Sequence, residues 1–120
     1  MRNNIAILNV YKKKTEKSKI VTQLLYGETF KKITRNGTWI KIKNDADNYK
    51  GYVKETFFPS NKKNTHKIFC LKADLYSKPN KKNKIKKKLS FGSEVKVIKK
   101  NKIFFKFDNL WIEKKNLKQI

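Results

Sequence analysis

Residues 24–33 read Leu-Leu-Tyr-Gly-Glu-Thr-Phe-Lys-Lys-Ile, and residues 89–98 read Leu-Ser-Phe-Gly-Ser-Glu-Val-Lys-Val-Ile. The two stretches align without a gap at an offset of 65 residues, which places a glycine at the same point in both. The same offset pairs Ala-Ile-Leu-Asn-Val-Tyr at 6–11 with Leu-Lys-Ala-Asp-Leu-Tyr at 71–76. It also sets Trp39 against Phe104. One offset shared by separated segments predicts two copies of a unit of about 55 residues.

Short β-strands are predicted within each unit. Residues 93–98 alternate, with Val95 and Val97 expected to face inward, which is the period of a strand. In the first unit we expect residues 24–33 to form a strand. Arg35-Asn36-Gly37-Thr38 predicts a hairpin turn, because Asn-Gly readily takes positive φ at both central positions. Residues 39–42 and 49–53 are predicted to be the strands that follow.

Little helix is expected, because no segment sustains a 3.6-residue period with caps. Single 3₁₀ turns are predicted at 54–57 and 114–117, where each unit ends. Long charged loops are predicted at 12–19 and 78–88. The predicted fold class is all-β, with two tandem small SH3-like β-barrels at 1–58 and 65–120 and a polar linker at 59–64.

The composition excludes several classes of protein. The chain has 120 residues and a formal net charge of +23. It has no run of 18 apolar residues, which argues against a membrane span. No signal peptide is evident, so the cytoplasm is the default location, with the periplasm and the cell wall as alternatives. The single Cys70 and single His66 predict neither a disulfide framework nor a metal site, and no cofactor is expected.

The basic charge has two interpretations. Arg2 and Arg35 are the only arginines, and Lys, Asn and Ile are together the residues that an AT-rich genome favours, so the charge can be compositional drift. A site selected for phosphate would use more Arg, whose planar fork binds two oxygens at once. The other interpretation is an anionic partner, such as nucleic acid, a membrane surface or an acidic wall polymer. The lysine runs at 12–14 and 81–88 are either solvated loops or phosphate-binding loops.

Three motifs carry a resemblance to a known family. Val21-Thr22-Gln23-Leu24-Leu25-Tyr26-Gly27-Glu28, then Trp39, then Tyr49-Lys50-Gly51-Tyr52-Val53 together resemble the first bacterial SH3 domain of NlpC-type cell-wall peptidases. The second half resembles the second SH3 domain of these enzymes, through residues 65–68, 74–79, 89–92 and 111–112. The resemblance covers nearly all of the chain and preserves the order of the domains.

The family resembled has a papain-like catalytic domain with a Cys nucleophile and a His base, for which this chain offers no equivalent. Cys70 and His66 lie four residues apart, which is about 13 Å along a strand. Activation of a thiol needs hydrogen-bond reach of about 3 Å. We therefore expect Cys70 to be a buried, inert thiol, and His66 to be a linker or strand-edge residue. The chain is predicted not to be an enzyme.

Four candidate ligand-binding residues follow from the resemblance and from the aromatic pattern. In the family resembled, the first SH3 domain uses an aromatic and an acidic group to read the free amino end of a wall peptide. By motif position these groups are Tyr49 and Glu28, although Asn48 replaces the glycine that the family has before the tyrosine. Tyr11 and Tyr52 complete the set, whereas Trp39 and Tyr26 are expected to pack in the core.

The sequence thus predicts a non-catalytic module that recognises cell-wall peptides or docks against a papain-like peptidase domain. Two alternatives stay open. One is a basic small-barrel protein that binds nucleic acid, and the other is a fragment of an active cysteine peptidase. The oligomeric state is undetermined.

Overall fold

A computed structural model describes all 120 residues, which divide into two compact units at residues 1–61 and 62–120. Thirteen β-strands and two single-turn 3₁₀ helices make up the regular structure. The all-β prediction is confirmed. The boundary falls between Asn61 and Lys62, within the segment predicted as a linker.

The first unit contains one antiparallel sheet of five strands, in the spatial order β2-β1-β5-β4-β3. This topology is compatible with a small SH3-like barrel. The strands are β1 Ile7–Tyr11, β2 Ile20–Leu25, β3 Phe30–Asn36, β4 Trp39–Asn44 and β5 Lys50–Lys54.

Period-two alternation sets the core of the first unit. In β4, Ile40 and Ile42 are buried, while the residues between them face outward and are half-buried. Phe58 lies beyond the last strand and packs edge-to-face on Phe30, with ring centroids 5.1 Å apart. The inward side chains form a single apolar cluster that comprises Leu8, Val10, Leu24, Phe30, Ile40, Ile42, Val53 and Phe58.

Residues 24–33 do not form a single strand, which corrects the prediction. β2 ends at Leu25 and β3 begins at Phe30, with a turn between them in which Gly27 has a φ of 85°. The Glu28 N–H donates to the Leu25 carbonyl at 3.1 Å. A left-handed residue reverses the chain at this point, and only glycine adopts that conformation without strain.

The hairpin between β3 and β4 is present, but its turn differs from the one predicted. Asn36 pairs with Trp39, so Gly37 and Thr38 are the two central residues. Gly37 has a φ of 65°, and Asn36 and Thr38 do not have positive φ. Positive φ at the first central position alone is the pattern of a type II′ turn.

The second unit contains a five-stranded sheet, in the order β10-β11-β12-β7-β8, and a three-stranded sheet, in the order β13-β6-β9. All the strand pairs are antiparallel. The strands are β6 His66–Ile68, β7 Lys72–Tyr76, β8 Lys84–Ser90, β9 Glu94–Val95, β10 Lys99–Lys100, β11 Phe104–Phe107, β12 Leu110–Glu113 and β13 Leu117–Gln119.

The 3₁₀ turns are only partly as predicted. One spans Lys114–Asn116, close to the expected position, and the other spans Lys81–Asn83. No such turn follows β5, because the Glu55 N–H donates to the Thr38 carbonyl at 2.6 Å and keeps the chain extended. The predicted 78–88 loop is also shorter than expected, since β8 begins at Lys84. The alternation at 93–98 yields only the two-residue β9, with Val95 buried and Val97 half-buried.

Candidate ligand-binding site

Three aromatic side chains lie together on the outer face of the first sheet. Tyr11 on β1 and Tyr52 on β5 are directly opposite each other in the ladder. The Trp39 ring contacts the Tyr11 ring edge-to-face, with centroids 5.7 Å apart at 89°. The Lys41 Nζ lies over the Tyr52 ring, 6.0 Å from its centroid. We call Tyr11, Trp39 and Tyr52 the aromatic face.

Trp39 does not pack in the core, which corrects the prediction. Ile40 and Ile42 occupy the inward positions of β4, so residue 39 must point to the other side of the sheet. There its ring is half-buried against Tyr11. The alternation along β4 is the sequence pattern that predicts an outward Trp39, since Trp39, Lys41 and Lys43 share one face of the strand. Tyr26, in contrast, is buried as expected.

Tyr49 stands apart from the aromatic face, at the tight turn between β4 and β5. Its side chain is 53% exposed. Its backbone is fixed on both sides, because its N–H donates to Asp47 Oδ1 at 3.0 Å and its carbonyl accepts from the Asn44 N–H at 2.9 Å. Asn48 has a φ of 60°, so it adopts the left-handed conformation that glycine would otherwise supply.

The Glu28 side chain accepts a hydrogen bond within its own turn. One carboxylate oxygen accepts the Leu25 N–H at 2.6 Å, and the side chain is half-buried. No hydrogen bond joins Glu28 to Tyr49. Their segments nevertheless flank the same end of β4, since Asn44 donates to the Tyr49 carbonyl and Asp45 donates to the Thr29 carbonyl next to Glu28.

Sequence reasoning missed two carboxylates beside Tyr49, Asp45 and Asp47. Asp45 is exposed and accepts from the Thr29 hydroxyl at 2.6 Å and from Lys31 Nζ at 2.9 Å. The hydrogen bond from Thr29 and then that from Lys31 lower the pKa of Asp45 below its usual value, so this carboxyl stays ionised. With Glu28, these residues place three of the nine acidic side chains of the chain around one end of β4.

A buried polar pair lies in the second unit. The Tyr76 hydroxyl donates to Glu113 Oε1 at 2.9 Å, and both side chains are buried. Burial and then the hydrogen bond to Glu113 raise the pKa of Tyr76 to about 12. Lys115 Nζ is 3.8 Å from the other oxygen of Glu113.

Two adjoining open grooves in the second unit have a basic lining. One of about 390 Å³ is lined by Lys102, Ile103, Glu113, Lys114, Lys115 and Leu117. The other, of about 470 Å³, is lined by His66, Lys100, Asn101, Phe105, Lys114, Leu117 and Gln119. The two grooves share Lys114 and Leu117. Their lysines are exposed, and nothing in either groove resembles a nucleophile with a base.

Cys70 and His66 do not form a catalytic pair. Cys70 is half-buried and lies outside β6, so the prediction of a buried thiol on a strand is wrong. His66 is buried within β6, with its Nδ1 2.7 Å from the Thr65 hydroxyl and its ring edge-to-face with Phe105. Burial, and next the charge of Lys100, lower the pKa of His66. No three His, Cys, Asp or Glu side chains cluster in a way that could hold a metal ion. None of the helices is both long and apolar enough to cross a membrane.

The strand order of the first unit, the positive-φ glycine turns at Gly27 and Gly92, and the restriction of helix to two single 3₁₀ turns define a fold of the SH3-like class. Residues 7–58 match the family model of the bacterial SH3 domain, so the first unit is similar to a bacterial SH3 domain. No curated protein matches the chain.

Among solved structures, an NlpC/P60 family protein from Bacillus cereus is similar, with a TM-score of 0.80 and 12% sequence identity. The match covers 99% of this chain and 55% of that one, so this chain spans about half the length of the protein it resembles. At this identity the likeness shows the fold alone. The resemblance to the SH3 domains of NlpC-type proteins, drawn from the sequence, is confirmed.

Proposed function

We propose that the chain is a non-catalytic recognition module of the kind that accompanies NlpC-type cell-wall peptidases, and that its first unit binds the free amino end of a wall peptide. The observation that carries this proposal is the exposed Tyr49 ring on a turn that also holds Asp45 and Asp47. In a chain with 32 basic and nine acidic residues, such an acidic spot is unusual.

The chemistry of this spot suits an ammonium group. A carboxylate accepts a charge-assisted hydrogen bond from an ammonium, about twice as strong as a neutral one. An adjacent tyrosine ring attracts the same cation through its π face. Asp47 is the better acidic partner for Tyr49, because it is exposed and lies on the same turn, whereas Glu28 is half-buried. Glu28 is a weaker candidate, since one of its oxygens is used within its own turn.

The binding experiment uses the 120-residue chain and calorimetric titration with one wall peptide in two forms, with a free and an acetylated amino end. We expect the acetylated form, and the Tyr49→Ala variant with the free form, each to bind at least about tenfold more weakly. Asp47→Asn keeps an oxygen to accept the Tyr49 N–H but removes the charge, so it should also weaken binding. Phe57→Ala is the matched control, because Phe57 is 82% exposed and lies outside the site. Equal affinities for the two peptide forms would overturn the proposal.

Two further experiments test the alternative functions, which are nucleic-acid binding and catalysis. Tight nucleic-acid binding with a steep salt dependence, in the absence of peptide binding, would favour the basic-barrel alternative. The purified chain should leave muropeptides uncleaved, and any turnover would contradict a non-catalytic role. Loss of that turnover in Cys70→Ala would assign it to the Cys70 thiol. Docking against a papain-like peptidase domain and a cytoplasmic location are further parts of this proposal.

A further inference from the structure

Three large apolar side chains are exposed together at one end of the second unit. Phe69 is 51% exposed, Leu71 is 86% exposed and Phe91 is 58% exposed. Soluble domains rarely leave contiguous apolar patches in water, and a patch with a polar rim marks a surface that binds protein or membrane. We call Phe69, Leu71 and Phe91 the apolar tip.

Backbone hydrogen bonds hold the apolar tip in place. Leu71 lies in the loop between β6 and β7, and Phe91 lies in the turn between β8 and β9. The Phe91 N–H donates to the Leu71 carbonyl at 3.0 Å, which joins the two loops. The Phe69 N–H donates to the Asn116 carbonyl at 3.3 Å. The three side chains are therefore carried by fixed backbone and do not need to be ordered on binding.

Three lysines lie close to the apolar tip in the chain or in the sheet. Lys72 follows Leu71, and Lys67 lies opposite Lys118 in the β6–β13 pair. All three are exposed and form no ion pair. Glu94 lies opposite Lys67 in the β6–β9 pair; it is half-buried and accepts from Asn64 Nδ2 at 3.4 Å. Over residues 62–120 there are nineteen Lys and four Asp or Glu, compared with thirteen Lys or Arg and five acids in residues 1–61.

We propose that the apolar tip inserts into the interface of an anionic lipid bilayer. Phenylalanine and leucine side chains enter the boundary between head groups and acyl chains, while lysines at the rim meet the anionic head groups. Charge complementarity favours a lipid surface over a protein partner, since a lipid surface presents negative charge on every side of the inserted residues. This surface lies in the second unit and is separate from the peptide site of the first.

The first experiment measures co-sedimentation of the full chain with phosphatidylcholine vesicles that contain phosphatidylglycerol, and with pure phosphatidylcholine vesicles. We expect binding to the anionic vesicles only. The double variant Leu71→Ser/Phe91→Ser should bind them at least about tenfold more weakly. Phe57→Ser, which exposes a polar residue at an equally open position of the first unit, should bind as the unchanged chain does. Because these side chains are exposed, the variants should fold, and circular dichroism verifies this.

The second experiment reports insertion directly. In a Cys70→Ser background, Leu71→Cys carries a polarity-sensitive fluorophore, and Phe57→Cys carries the same fluorophore as a control. A blue shift with anionic vesicles at position 71 alone is expected. No binding to the vesicles would overturn the proposal and would favour a protein partner for the apolar tip. Equal binding by the double serine variant would also overturn it, because the binding would then be a non-specific attraction between charges. Neither outcome bears on peptide binding, which Tyr49→Ala tests separately.

Discussion

Asn3 is fully buried and ties the start of the chain to the turn between β2 and β3. Its Nδ2 lies 2.8 Å from the Ile5 carbonyl and 3.1 Å from the carbonyls of both Leu24 and Leu25. Its Oδ1 accepts the Ile5 N–H at 2.9 Å. Its backbone N–H donates to the Glu28 carbonyl, and its carbonyl accepts the Gly27 N–H, both at 2.8 Å. A buried amide with all its groups paired fixes one local structure.

Asn3→Ala should therefore destabilise the first unit. The change removes the amide hydrogen bonds to the Ile5, Leu24 and Leu25 carbonyls, which costs about 1–3 kcal/mol in the free energy of unfolding. Urea denaturation measures the loss, and Asn4→Ala is the matched control, because Asn4 is exposed. A free energy of unfolding that is the same in both variants would contradict this role of Asn3.

Asn48 shows how a single residue can depart from a motif without changing the loop. Asparagine is the residue that most readily replaces glycine at positive φ. The family glycine before Tyr49 is replaced here by an asparagine with a φ of 60°. The turn that presents Tyr49 is therefore kept, although the sequence by itself left its shape open.

Among the elements, the central contact of the first sheet depends on Gly51. Here β5 approaches β1 so closely that a Cβ on residue 51 would lie 2.5 Å from Val10 Cγ1 and 2.9 Å from the Tyr11 carbonyl oxygen. The backbone oxygen cannot move away without separating the two strands. The glycine of the Gly-Tyr-Val motif is thus required for strand pairing, and this pairing places Tyr52 beside Tyr11.

Gly51→Ala should destabilise the protein by about 1–3 kcal/mol, as overpacking of a core usually does. It should also weaken the contact between Tyr11 and Tyr52. Gly37→Ala is the comparison, since nothing lies within 4 Å of the Cβ that it would add. The loss of stability in this variant should arise from the φ of 65° alone. Thermal unfolding followed by circular dichroism compares the two. A Gly51→Ala variant at least as stable as the unchanged chain would show that β1 and β5 have room to separate.

Element type was predicted better from the sequence than element ends. Alternation predicted strands at 39–42 and 49–53, and the structure has β4 and β5 there. The long strand at 24–33 was wrong, because a single left-handed glycine reverses the chain while the hydrophobic pattern continues across it. In the same way, the lysine-rich residues 84–88 were predicted to be a loop but form part of an edge strand, where lysine is tolerated on both faces.

At the scale of the whole molecule, a net charge of +23 on 120 residues makes self-repulsion a general cost of folding. The ion pairs are mostly exposed and contribute little each. Lys84, Lys86 and Lys88 share one face of β8, and Lys88 Nζ lies 3.6 Å from Asp74 Oδ1. Two positive charges about 6.6 Å apart repel by roughly 0.6 kcal/mol in bulk water.

Lys86→Glu should therefore stabilise the protein by about 1 kcal/mol at low ionic strength, because it replaces the repulsion with Lys84 by an attraction of the same size, while Lys88 is paired with Asp74. Lys86→Gln, which removes the charge without reversing it, should give a smaller gain. Both gains should shrink as salt is added, because the Debye length falls from about 30 Å at 0.01 M to 3 Å at 1 M. Differential scanning calorimetry at several salt concentrations provides the measurement. A melting temperature that does not depend on the charge at position 86 would show that solvent already screens these lysines.

The sequence by itself determined the all-β class and the likeness to bacterial SH3 domains, because these follow from local alternation and from residue types at fixed spacing. Only the tertiary structure decided which aromatic rings meet. Pairing of β1 with β5 brings Tyr11 to Tyr52, strand parity turns Trp39 outward, and the β4–β5 turn sets Asp47 beside Tyr49. These contacts depend on the register between strands that are distant in the chain. Register is fixed by close approaches such as that at Gly51, which no local pattern encodes.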